Sequence, residues 1–144
     1  MPIRPNLPAG VTYISPPAAA LLAKIVQIAR TDTTAFDAFV LPPNAVIAGA
    51  YCIGSASSNA GTTATIQVGT APGTSNEIVN NYDVKTAGAG YFNVASAGGS
   101  GMGTQTTAET RYKARYVESG TASSAGGPWL VKVEYYLPQP GQTY

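Results

Sequence analysis

The segment WLVKVEYYL, Trp129 to Leu137, sets Trp129, Val131, Val133 and Tyr135 on one side of an extended chain. Side chains of a β-strand alternate with a period of two, so such a run can bury one face and wet the other. The same period returns in TTATIQV, with Ala64, Ile66 and Val68 inward and Thr63, Thr65 and Gln67 outward. It returns in TRYKARYVE (110–118), and in AFDAFVL, where Phe36, Ala38 and Val40 share one face and Asp37 and Phe39 the other. AVIAGAYCIG is apolar at both parities, as expected of a central strand. LLAKIVQIAR fits helical spacing at Leu21, Ile25 and Ile28, but it becomes β-branched and lacks a good cap, so it reads as a strand starting near Lys24. EIVNNYDV reads as a short strand or a helical turn. YFNV is the one strand within the Gly/Ala/Ser/Thr-rich stretch 86–107.

Turn-forming clusters punctuate these runs: TDTT, PPN, SASSNAG, GTAPGTSN and GTASSAGGP. Seven or eight short strands with no convincing helix predict an all-β fold, an antiparallel β-sandwich or barrel, the jelly roll included. No fixed-period repeat is visible, which counts against a solenoid or propeller. Residues 1–19 hold five prolines and little periodicity, the pattern of an extended, polyproline-like arm. The sandwich is then expected over 20–138, with 139–144 as a short C-terminal tail.

Charge is scarce. Charged residues are 10% of the chain, against about 25% in a typical soluble protein, and the net charge is +1. Apolar content is ordinary at 44%, so the deficit is filled by Gly, Ala, Ser, Thr and Pro. A neutral exterior with nine tyrosines favours association, because little repulsion keeps copies apart and Tyr is enriched at interfaces. The alternative is a monomer solvated by its Ser and Thr.

Reactive groups are scarcer still. With no histidine, Ser-His-Asp and Cys-His nucleophiles cannot be assembled and imidazole metal ligands are excluded. The seven carboxylates show no calcium-loop spacing, although two could meet in the fold as a glycosidase pair. GGSGMGT (98–104) lacks the lysine of a phosphate-cradling loop and reads as a loop tip. RTDTTAFD reads as a solvated turn in preference to a metal site. The single cysteine, Cys52, is expected as a small buried apolar residue. No catalytic residue, cofactor or metal is expected. Prolines interrupt the N-terminus too often for a signal h-region, and no run approaches membrane-spanning length. The chain also lacks an Asn-x-Ser/Thr acceptor, so synthesis in a cytoplasm and no membrane partner are expected.

The strongest local signal is RYKARY. Alternation puts Arg111, Lys113 and Arg115 in one stripe, three of the eight basic residues, and Tyr112, Ala114 and Tyr116 on the opposite face. Nucleic acid would need basic and stacking groups together, and here the tyrosines face away from the charges. The stripe could dock on an acidic protein surface through bidentate Arg contacts, or be the solvated face of a half-buried strand.

LPPNAVIAGAYCIG followed by GTTATIQVGT, with the closing PWLVKVEYY, resembles the cement or decoration proteins of tailed-bacteriophage capsids. The likeness runs over roughly 36–70 and the last strand, under half of the chain. It implies a jelly-roll-like sandwich without a catalytic centre, bound to the capsid exterior across junctions between major capsid subunits. It also implies self-association, first as a homodimer and next as a homotrimer. The family supplies no fixed set of functional residues. Candidate contact residues are therefore Pro2, Ile3, Arg4, Pro5, Leu7, Pro8 and Tyr13 of the arm, Arg111, Lys113 and Arg115 of the stripe, and Tyr144. Two other readings stay open. One is a receptor- or carbohydrate-binding sandwich of a tail fibre or adhesin, with Trp129 or Tyr91 as the sugar platform. The other is a head–tail joining or tail subunit.

Overall fold

In a computed structural model, residues 20–94 and 101–137 are described. They form β1 (Leu21–Ile28), β2 (Phe36–Leu41), β3 (Val46–Gly54), β4 (Thr63–Gly69), β5 (Val79–Asp83), β6 (Gly90–Asn93), β7 (Thr110–Ser119) and β8 (Trp129–Tyr136). No helix occurs among the described residues. The first strand begins at Leu21, three positions ahead of the expected Lys24, because Leu21 to Ala23 already pair with Tyr136 to Glu134 of β8.

Antiparallel partners are β1 with β8, β2 with β7, β3 with β6 and β4 with β5. That nesting is one long hairpin with its tip between β4 and β5. Rolling the hairpin adds β3 to β8 and β4 to β7. Two antiparallel four-stranded sheets result, sheet A in the order β1-β8-β3-β6 and sheet B in the order β2-β7-β4-β5. This is the jelly roll, and it accounts for every strand pairing.

The inward rows of the two sheets make the core. Trp129, Val131, Val133 and Tyr135 of β8 are all buried, as are Ala64, Ile66 and Val68 of β4. Tyr116 and Trp129, one from each sheet, stack at the centre with ring centroids 5.4 Å apart and planes 9° apart. Their polar atoms bond to loops. Trp129 Nε1 donates to the Gly88 carbonyl at 3.0 Å, and the Tyr116 hydroxyl donates to Glu118 at 2.8 Å. Ser58 Oγ lies 2.7 Å from that hydroxyl and so donates to it. SASSNAG and GTASSAGGP, two of the turn-forming clusters, are therefore pinned at the core, with Ser58 and Ser123 buried.

Three strands depart from simple alternation. β2 carries a bulge between Asp37 and Phe39, so Phe36, Phe39 and Leu41 point inward, where Phe36, Ala38 and Val40 were expected to share a face. Phe39 stacks on Tyr112 at 5.3 Å. A second bulge lies between Ile47 and Gly49 of β3. The third is in β5, where Asn81 takes φ 57 opposite regular β4. An extra residue in one strand reverses the facing of everything beyond it. Of GGSGMGT, the described part is docked: Gly101 is buried and donates its backbone N–H to the Glu77 carbonyl at 2.8 Å.

Candidate docking surfaces

Side chains capable of chemistry are dispersed. Among the described residues no group of three His, Cys, Asp or Glu could hold a metal ion. A polar hollow of about 600 Å³ lies beside the β4–β5 connection, lined by Thr74, Asn76, Glu77, Asn80 and Asn81 among others. Its amides bond to one another, Asn76 to Asn80 at 3.1 Å and Asn81 to Asn80 at 3.2 Å. The Glu77 carboxylate is occupied by the backbone N–H and hydroxyl of Thr70. Cys52 is buried and free, and burial pushes its thiol up to about 11, far from a reactive thiolate. The two outward sheet faces are the candidate docking surfaces.

The outward face of sheet B carries the basic stripe. Register puts Arg111, Lys113 and Arg115 outward on β7, while Tyr112, Ala114 and Tyr116 are buried beneath them. Arg111 meets Asp37 at 2.7 Å with both side chains more than half exposed, an ion pair worth about 0–1 kcal/mol. Arg115 donates Nε to Gln67 at 2.6 Å, and its guanidinium lies over Gly73. The two ion pairs among the described residues are Arg111–Asp37 and Lys132–Glu134, so Lys113 and Arg115 have no carboxylate partner there. The stripe presents cations outward on sheet B. It offers no ring for a nucleic-acid base, because its tyrosines are in the core.

The outward face of sheet A is apolar, and sequence reasoning missed it. The large apolar side chains exposed among the described residues are Leu21 at 50%, Leu22 at 36%, Ile25 at 62%, Ile53 at 40% and Tyr91 at 57%; all belong to sheet A, where Leu21, Ile25, Ile53 and Tyr91 face outward and Leu22 has the inward parity of β1. Register aligns Ile25 with Lys132 and Tyr51, and Gln27 with Leu130, Ile53 and Tyr91. Tyr51 stacks on Tyr91 at 5.5 Å, and the Lys132 ammonium sits 5.1 Å from the Tyr51 ring centre. Lys132 also pairs with Glu134 at 2.9 Å, which raises the lysine pKa. The signal was present in AVIAGAYCIG. Its second apolar parity was read as burial on both faces; β3 is interior within its sheet, but only one of its faces is covered.

Of the expected contact residues, Pro2, Ile3, Arg4, Pro5, Leu7, Pro8, Tyr13 and Tyr144 lie outside the described residues, as do the arm and the tail. Trp129 cannot be a sugar platform, since it is 0% exposed beneath its Tyr116 neighbour. Tyr91 is exposed and stays available.

Fold and surfaces together define a jelly-roll sandwich with a basic face and an apolar face. A chain of the solved "Cyanophage Pam1 capsid asymmetric unit" has a similar structure, at TM-score 0.62 and 20% sequence identity, over 92% of this chain and 98% of that one. At this identity the likeness establishes a shared fold. No family model matches the sequence, and no curated protein matches it.

Proposed function

We propose that the protein is a non-enzymatic structural component of a phage virion that binds the outer surface of the capsid, clamps neighbouring major capsid subunits and self-associates. The observation carrying this reading is the likeness to a capsid chain over 98% of that chain's length. The dispersed chemistry and the two uncovered faces agree with it.

The physics of the role is adhesion. A packaged genome pushes the shell outward, and a clamp across subunit joints opposes their separation. Standard contacts bury about 800 Å² per partner, and gripping two subunits at once multiplies affinity through effective concentration, by about a hundredfold or more. In this reading the stripe Arg111, Lys113 and Arg115 meets acidic shell groups, and the Pro-rich residues 1–19 act as a strap. Proline restricts the free segment, so less entropy is lost when it docks.

The test is to strip the protein from purified particles and subject them to heat or osmotic shock. Genome release at lower temperature or milder shock, restored by adding the protein back, is expected. Unchanged genome retention would contradict the proposal.

A further inference from the structure

The outward face of sheet A carries exposed Leu21, Ile25, Ile53 and Tyr91 beside Gln27, Lys132 and Glu134, and nothing in the described chain covers it. We infer that this face is a two-fold symmetric interface with a second copy of the chain, its axis passing β8 between Lys132 and Glu134. The inference deepens the self-association in the reading above by naming its surface and register.

Charge chooses the occupant. By register, the charged residues on this face are Lys132 and Glu134, two positions apart on one strand and opposite in sign. An isologous interface must be complementary to itself. Lys132 and Glu134 pair within one copy at 2.9 Å, and a two-fold axis between these positions adds Lys132 of each copy against Glu134 of its mate, a reciprocal arrangement that like-charged partners do not offer. An acidic or basic partner would leave one of them opposed by a like charge.

Shape points the same way. Face-to-face sheets pack when their twists match, about 30° apart, and a second copy has the same twist by construction. β1, β8, β3 and β6 have 8, 8, 9 and 4 residues; at about 3.3 Å per residue and about 4.8 Å per strand the face is about 460 Å² in plan, the same order as the roughly 800 Å² of accessible surface in a standard interface.

Edge-to-edge pairing is the competing geometry, and β1 resists it. Lys24 shares the inward parity of Leu22, Val26 and Ile28 on this edge strand. An inward-pointing charge on a sheet edge is a known obstacle to strand addition.

The full-length chain is tested by sedimentation equilibrium in the absence of any capsid, so its outcome is independent of whether particles bind the protein. The wild type is expected to be a dimer. Lys132→Glu and Glu134→Lys each create two like-charge contacts and are expected to weaken dimerisation roughly a hundredfold. Mixing these two variants is expected to restore a one-to-one dimer, because each then meets the opposite charge across the axis. Loss of the Lys132–Glu134 pair within one copy cannot explain rescue by mixing. Ile25→Glu, at a side chain too exposed to disturb folding, is expected to be monomeric. A wild-type monomer or trimer, a dimer that survives all three substitutions, or a mixture that stays monomeric would overturn the inference.

Discussion

Tyr116 carries more of the fold than its ring alone. Its hydroxyl accepts a hydrogen bond from Ser58 and donates one to Glu118, joining two loops to β7 beneath the Trp129 stack. Tyr116→Phe keeps the ring and leaves Ser58 and Glu118 short of a partner. A loss of about 1–3 kcal/mol in urea unfolding is expected, without a change of fold. Glu118 ties this cluster to pH. Hydrogen bonds from Ser123 and Tyr116 hold its carboxyl below the ordinary range. The folded state thus favours the ionised form. Its contribution is complete above the usual carboxylate pKa and is lost as pH falls through the lowered value. Melting temperature should fall on acidification below about pH 4.5, and Glu118→Gln should show a shallower fall across the same range. Cys52 gives a cleaner readout. With its thiol raised to about 11 by burial, it should resist alkylation at pH 8 until denaturant is added. Rapid labelling of the native protein would contradict the packing described for β3.

At the scale of elements, the tightest constraint is where β3 meets the loop before β6. A Cβ on Gly54 would stand 1.7 Å from the Gly88 carbonyl oxygen and 2.7 Å from Trp129. Gly54→Ala should cost about 3 kcal/mol, seen as a lower denaturation midpoint. Arg111→Ala, at an exposed ion pair, should change the midpoint by less than about 1 kcal/mol. These same elements show what could be read from the chain. β4, β7 and β8 are regular along their length, so alternation in TATIQV, RYKARY and WLVKVEYY placed each side chain on its proper face. β2, β3 and β5 each contain an extra residue, and a bulge leaves no mark in composition, so Phe39 was assigned to the wrong side. The apolar outer face was hidden for another reason. It is assembled from Leu21, Ile53, Leu130 and Tyr91, which lie far apart in the chain, and only the pairing of β1, β8, β3 and β6 brings them together.

At the scale of the molecule, the jelly roll separates two kinds of surface. Sheet B presents Lys113 and Arg115, which have no carboxylate partner among the described residues, and sheet A presents exposed apolar rows. A rolled hairpin holds both faces rigidly back to back around one core, which suits a part that must join different neighbours. The proposed function makes the protein a stoichiometric structural part of a phage virion. Quantitative mass spectrometry of purified particles from cultures in which the chain is expressed, with the major capsid subunit as internal standard, tests it most directly. The account predicts a copy number comparable to that of the shell subunit; absence from the particles, or a trace amount in them, would contradict it.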